Sequence, residues 1–447
     1  MLLAALALAL PAAAQAAPDG PLAGQCRQVD AHLVTPCYGA DVVSRDAQAH
    51  CRAAGACPSD EQAIAGYERS WTHRALAFQE ALSRDVPLRD APWIGTHNSF
   101  NSIAEMGPTL SDTDSNQRLR LTDQLREDMR SLELDLHWLP SPYAGGASAP
   151  VVCHGEGNAG CTIEKPLGPV LDEIATYLRA HRDAVLLLYL EDQLDGGDAH
   201  DAAAAAIRQS LGALVYAPPA GGGCARLPLD LTKADVLKRG AQVVIVSGCG
   251  EGAAWRGQAF DWSSHVEERP HGFQDFPRCG PDYDRATYDT RLVRYYEDST
   301  WLTTAGSNAG QSTVDDGITP ATAAAMARCG VDLIGLDQLQ PADDRLAALV
   351  WSWAPGEPSR ASGCVVQRAD ARWASARCAG RRPAACRRAD GSWATSAPVP
   401  AGGAADACRE AAMTFAMPRT GYENARLRAA AGGETAWLPP LTRARRS

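Results

Sequence analysis

Beyond its first residues the chain has no apolar run approaching the roughly 20 residues that a membrane-spanning helix needs, so no helical anchor is expected further along. It has no excess of basic charge either. A formal net charge of −11 argues against nucleic acid and against a broad electrostatic grip on anionic membranes, while leaving room for a local basic patch. Its 14 cysteines include no paired C-x-x-C knuckles, so zinc modules are not expected. No internal repeat and no long disordered tract stand out.

What is present begins with a Leu/Ala-rich stretch, Met1 to Ala16, closing on Ala14-Gln15-Ala16. That small-x-small ending is the kind signal peptidase cuts, although the stretch lacks the usual basic start. Residues 1–16 are therefore expected to be a signal peptide and the protein to be secreted, to the periplasm or beyond. An even number of scattered cysteines agrees, because disulfides persist in oxidising compartments. The remaining length suits one large domain of roughly 250 residues with smaller attachments.

Residues 17–86 read as a lead-in carrying Cys26, Cys37, Cys51 and Cys57, with a helical pattern from Glu61 to Leu82. From 87 to 347, short apolar runs alternate with helix-like segments, the pattern of a parallel sheet with crossover helices. The runs are Ala91 to Gly95, Leu132 to Trp138, Ala149 to Cys153, Ala184 to Leu190, Ala241 to Ser247 and Val331 to Leu336. Leu167, Val170, Leu171, Ile174 and Leu178 predict an amphipathic helix between the third and fourth. Six strands of an α/β fold, a (β/α)8 TIM-type barrel, can thus be placed. The other two are expected around Leu214 to Tyr216 and between Arg256 and Thr304.

In Leu132-Glu133-Leu134-Asp135-Leu136-His137 the leucines share one face and Glu133, Asp135 and His137 the other. Turned into a barrel, two carboxylates would be costly without a positive charge between them, and a metal ion is the simplest answer. Further polar groups directly follow strands: Gly95-Thr96-His97-Asn98-Ser99, Cys153-His154-Gly155 and Glu191-Asp192. Barrel enzymes draw catalytic groups from this end of their strands. Taken singly, each histidine could be merely hydrogen-bonded, and Glu133 with Asp135 could be the wet face of an edge strand. Asp192 and His137 read as rim groups, and Asp337, ending the last strand, as a possible substrate contact.

Over roughly residues 90 to 195 these four motifs resemble, in order and approximate spacing, the X half of the phosphoinositide-specific phospholipase C barrel. The resemblance implies that Asn98, Glu133, Asp135 and Glu191 ligate calcium, and that His97 and His154 stabilise the pentavalent phosphorus and protonate the leaving oxygen. A set of three carboxylates and one amide oxygen also suits Ca²⁺, or Mg²⁺, better than zinc. Metal-free relatives replace an acidic ligand with a base, and none is replaced here. The strand Val243-Val244-Ile245-Val246 carries no lysine, which makes highly phosphorylated inositides poor candidate substrates. The implied activity is cleavage of a phospholipid or glycerophosphodiester, with transient membrane contact and no nucleic-acid partner. Glycerophosphodiester phosphodiesterases and sphingomyelinase D-like enzymes are the alternatives. The first usually end their opening strand in His-Arg-Gly, whereas Cys153 and Cys161 around the His154 loop resemble the second.

After Ala347 the sequence turns to Trp, Cys, Arg and Gly. Trp353-Ala354-Pro355-Gly356-Glu357-Pro358, Cys364, Trp373, Cys378 and Cys386 resemble the latter half of a C-type lectin domain, and Trp393, Cys408, Phe415 and Tyr422-Glu423-Asn424 its opening half. Residues 348–447 would then be a circularly permuted lectin-like module. That resemblance implies pairs Cys364–Cys378 and Cys386–Cys408; proximity suggests Cys153–Cys161. The calcium motif of sugar-binding lectins is incomplete, with Ser359 after Pro358 and Ala374-Ser375 after Trp373. A glycan partner and a structural cap both remain open, as does a lectin-like protein on an inactive barrel, which loss of a catalytic histidine or ligand would have signalled.

Overall fold

The computed structural model describes residues 61–102, 113–155, 161, 165–219, 223–263, 266–267, 273–279, 292–303, 310–359 and 363–440. The expected signal segment and the cysteines at 26, 37, 51 and 57 lie outside them. No described helix is long and apolar enough to cross a membrane.

Eight parallel strands follow one another around a curled sheet in chain order: β1 Trp93–Thr96, β2 Ser131–Pro140, β3 Leu186–Gln193, β4 Val243–Ser247, β5 Phe260–Asp261, β6 Val266–Glu267, β7 Val293–Tyr296 and β8 Leu333–Leu336. The last closes on the first through the register Trp93↔Leu333 to Thr96↔Leu336. Among the described residues no pairing joins β5 to β6. The result is a curled, TIM-like parallel sheet.

The period-2 pattern sets the two faces. Leu132, Leu134, Leu136, Leu186, Leu188 and Ile245 pack outward in one core against helix Leu167–Ala180, which buries Leu167, Val170, Leu171, Ile174 and Leu178 as its spacing requires. The inward face holds a second core that includes Trp93, Leu187, Val244, Phe260, Tyr296 and Leu333. Burial on both faces explains the near-continuous apolar runs.

Two expectations are corrected. The run Ala149 to Cys153 is not a barrel strand: Ser148–Val152 returns antiparallel along β2, with Leu136↔Val152 and Pro140↔Ser148 in register. Only residues 141–147 separate the two, far short of the dozen or more a parallel crossover requires. Leu214 to Tyr216 supplies a single bridge, Val215↔Val243, and three barrel strands rather than one lie between Arg256 and Thr304. The helical pattern from Glu61 to Leu82 is borne out, as two helices, Glu61–Glu68 and Trp71–Ser83, with Ser70 capping the second by accepting from His73 N at 3.1 Å.

The C-terminal segment builds small antiparallel sheets, and it contains a short repeat that the sequence reading passed over. Hairpins Cys364–Ala376 and Ala385–Thr395 turn through Arg368-Ala-Asp370-Ala371-Arg372 and Arg388-Ala-Asp390-Gly391-Ser392. In both, the first arginine's N–H bonds the carbonyl four residues on (2.8 Å each), the fourth residue has positive φ, and the aspartate accepts from the backbone two residues later. Trp373 and Trp393 follow at the same offset and are buried. Gln79 holds this segment to the barrel: its oxygen accepts from Trp351 N, Ser352 N and Ser352 Oγ at 2.8–3.0 Å, and its nitrogen donates to Leu349 O. The junction lies where helices Pro320–Cys329 and Asp344–Leu349 end, beside the N-terminal end of the strands, away from residues 97, 135 and 191.

Among the described residues five disulfides join Cys153–Cys161, Cys224–Cys249, Cys279–Cys329, Cys364–Cys378 and Cys386–Cys408. The three expected pairs are among them.

Candidate active site

Gly95, in β1, lies so close to β2 that a Cβ there would stand 2.4 Å from Ser131 O, so the first two strands meet without an intervening side chain. The turn after β1 is then fixed by Ser99, whose hydroxyl lies 2.7 Å from Thr96 Oγ1 and accepts from Glu133 N at 2.9 Å. Gln124 braces it from below, accepting from Thr96 Oγ1 and donating to Ser99 O. Asn98 adopts a left-handed φ of 42°, a conformation asparagine tolerates better than most residues, and its N–H points at Glu133 Oε2, 3.3 Å away.

Glu133, Asp135 and Glu191 come together as the alternation requires. Asp135 and Glu191 are register partners across β2 and β3, and one ligand atom from each of the three lies within 4.8 Å of the others. Glu133 and Asp135 are 2% and 3% exposed. Burial pushes both carboxyls above their ordinary range; His97 and Arg294 oppose this at Glu133, whereas Glu133 and Glu191 add to it at Asp135. Three acids held this closely repel one another unless a proton or a cation sits among them. Oxygen-only donors at this separation fit a hard divalent cation. One atom of the Asn98 amide stands 3.0 and 3.1 Å from the Asp135 oxygens, and the other 3.3 Å from His154 Nε2. All four expected ligands and both histidines therefore share one site.

His97 is held through Nδ1 by Asp337 Oδ2 at 3.1 Å. Burial opposes its charge, but Asp337, followed by Glu133 and Asp135, outweighs that and lifts its pKa to about 10. Asp337 is fully buried and also accepts from Gln117 Nε2 at 3.0 Å, while its N–H donates to Glu297 Oε2 at 2.8 Å. It is thus placed behind His97, and the reading of it as a substrate contact gives way to one of orientation. Asp192 turns aside to His200 Nε2 at 2.9 Å. His137 lies beside Cys153 and Cys161, whose sulfurs are bonded to each other and so are not thiolate ligands.

Sequence reasoning missed the groups deeper in the barrel. Arg294 is buried, with its guanidinium 4.5 Å from the Tyr296 ring, 5.0 Å from Tyr189 and 5.2 Å from Trp262. Gly335 makes room for that cage, since a Cβ there would meet Tyr296 Cδ1 at 2.4 Å. The signal was Arg294 alternating with the outward Val293 and Tyr295, in a strand too short to stand out.

A family model described as the Rv2075c PI-PLC-like domain matches residues 57–343. The chain belongs to that family. Two curated relatives from Mycobacterium tuberculosis, the uncharacterized proteins MT2135 and Rv2075c, are each 42% identical over 473 residues, covering 97% of this chain and 96% of theirs. Among solved structures, the phosphatidylinositol-specific phospholipase C from Listeria monocytogenes aligns at 15% identity and a TM-score of 0.37, over 62% of this chain and 97% of its own. A Staphylococcus aureus phosphatidylinositol-specific phospholipase C aligns at 13% and 0.38, over 63% and 98%. The PI-PLC-like family and the site chemistry together describe a phospholipase C-type phosphodiesterase framework.

Proposed function

We propose that the protein is an exported, metal-dependent phosphodiesterase that cleaves a phospholipid or glycerophosphodiester by phospholipase C-type chemistry. The observation that carries this reading is the convergence of Glu133, Asp135 and Glu191 beside two histidines at the strand ends. Asn98, Glu133, Asp135 and Glu191 would hold Ca²⁺, or Mg²⁺, which when bound stabilises negative charge on the phosphate oxygens. His97, oriented by Asp337 and favoured in its protonated form, directs Nε2–H toward the same region and supplies a donor for charge developing at phosphorus. His154, at the end of the returning hairpin, is the group to protonate the departing oxygen. Arg294, buried among Tyr189, Trp262 and Tyr296, adds a fixed positive charge that acts on Glu133.

Export is supported by the signal-like first 16 residues and by the disulfides. The permuted lectin-like reading of residues 348–447 is supported by the pairs Cys364–Cys378 and Cys386–Cys408. Sugar binding through calcium receives no such support, because Glu357 is already engaged by Ser375 N at 3.1 Å.

Phosphorus NMR on a panel of phosphodiesters, with and without chelator, tests the activity. Turnover should vanish in chelator and return with Ca²⁺ better than with Zn²⁺. His154→Ala should lower the rate about 10² to 10⁴-fold with metal binding retained, and substrates with better leaving groups should recover part of that loss. Full activity in excess chelator would refute the metal assignment.

A further inference from the structure

Charge is distributed unevenly along the chain. Residues 348–447 contain 15 arginines, no lysine and seven acidic residues, a net charge of +8; with −11 overall, residues 1–347 carry −19. Most of those few acids are spent on local structure. Backbone N–H groups of Ser375, Arg372, Ser392 and Arg419 engage Glu357, Asp370, Asp390 and Glu423 at 2.7–3.1 Å. The arginines outnumber them, and Arg368, Arg377, Arg381 and Arg388 are exposed: Arg368 pairs with Asp370 at 2.9 Å, and Arg381 and Arg388 each donate to a backbone carbonyl, contacts that leave further N–H groups of each guanidinium facing solvent. Arg368 and Arg388 occupy the same position in the two repeated turns, so the hairpins present two similarly built corners, each with an exposed arginine two residues before an aspartate; the net positive charge comes from the arginines around them.

We propose that this C-terminal module is a binding surface for an acidic polysaccharide bearing carboxylate or sulfate groups. Guanidinium forks match such groups with paired hydrogen bonds and keep their charge at any physiological pH. The strongly acidic barrel repels an anionic partner, so approach is directed to the module. The module joins the barrel at the end away from the catalytic residues. Seated on a bilayer, it would turn the active site away from that bilayer, whereas a polymer strand leaves the site open. The preference for a polymer over a bilayer rests on the proposed phospholipid-cleaving role of the barrel, whereas the retention assays below read binding without turnover.

The test uses the full-length protein and four probes: immobilised heparin, polygalacturonate, uncharged dextran, and vesicles of phosphatidylcholine with phosphatidylglycerol. Both acidic polymers should retain the protein at low salt and release it as salt rises, because exposed charge contacts are screened. Dextran should not retain it. The quadruple variant R368Q/R377Q/R381Q/R388Q should bind the acidic polymers about tenfold more weakly or worse. Arg377→Gln or Arg388→Gln alone should each give a smaller loss, which keeps the test sound if the quadruple variant folds poorly. The barrel-surface control Arg208→Gln should bind like the parent, and turnover of a soluble phosphodiester should be the same in all. Unchanged binding by the arginine variants, equal loss in Arg208→Gln, or binding to vesicles without binding to either polymer would overturn the proposal.

Discussion

Replacing Asp337 by Asn keeps its size and most of its hydrogen bonds but removes the charge behind His97. In the parent, Asp337 is the largest influence raising the His97 pKa, ahead of Glu133 and Asp135, and together they carry it to about 10 against burial. A hydrogen bond to a charged group contributes about 1.5–3 kcal/mol, equivalent to about one to two pKa units. In metal-free protein the His97 midpoint should therefore drop from about 10 by about one to two units. The sign follows from the charge: His97 is protonated below its midpoint, so the variant loses the imidazolium at lower pH than the parent, and activity that needs the proton falls earlier as pH rises. The amide can also present its N–H to Nδ1, which favours the neutral tautomer protonated at Nε2; a neutral donor then remains, so the change in rate reports the lost positive charge. The assay is an NMR titration of the His97 ring in chelator-treated protein, paired with a pH–rate profile of the metal-loaded enzyme. An unmoved midpoint together with an unchanged alkaline limb would refute Asp337 as the group that orients and charges His97.

Glu127 is buried, and burial lifts its pKa to about 8 with Asp128, Asp343 and Asp123 adding to the rise. The unfolded chain ionises it at the ordinary 4.5 while the folded chain stays protonated, so stability falls as pH rises between those values. Glu127→Gln should therefore gain stability relative to the parent progressively from pH 5 to 8, by up to about 1.4 kcal/mol per unit; urea midpoints that shift equally at both ends would refute this. Gln79→Ala should leave the backbone groups of Leu349, Trp351 and Ser352 without their partner and cost about 3–5 kcal/mol. Limited proteolysis near residue 350 should then release the C-terminal module, and resistance equal to the parent would count against Gln79 as the latch.

Much of the site was legible because one rule, alternation along a strand, places both Glu133 and Asp135 inward, and because the remaining groups directly follow strands. The fold was legible wherever a strand is long and covered on both faces, as at Leu186 to Leu190. It failed where those conditions lapse. Phe260–Asp261 and Val266–Glu267 are two-residue strands, too short to carry a period. The run ending at Cys153 has the composition of a barrel strand, and only the shortness of the connection from Pro140 betrays its antiparallel course. Arg294 escaped notice because its significance comes from Tyr189, Trp262 and Tyr296, supplied by three separate parts of the chain. Asp337 was visible, but that it faces His97 rather than solvent depends on β8 closing against β1, a contact between residues 240 apart.

The five disulfides have a property that emerges when they are followed in chain order. Each described cysteine pairs with the next one along: 153 with 161, 224 with 249, 279 with 329, 364 with 378 and 386 with 408, with no loop nested in or crossing another. Of the many pairings ten thiols allow, this is the one reached by closing every loop as soon as its second cysteine appears. The widest separation is 50 residues, so loop closure stays entropically modest at each step. A chain emerging from its N-terminus could complete each covalent tie before the following pair exists. Oxidation of these ten cysteines would then need little reshuffling, and the barrel could acquire these cross-links while the arginine-rich module was still being made.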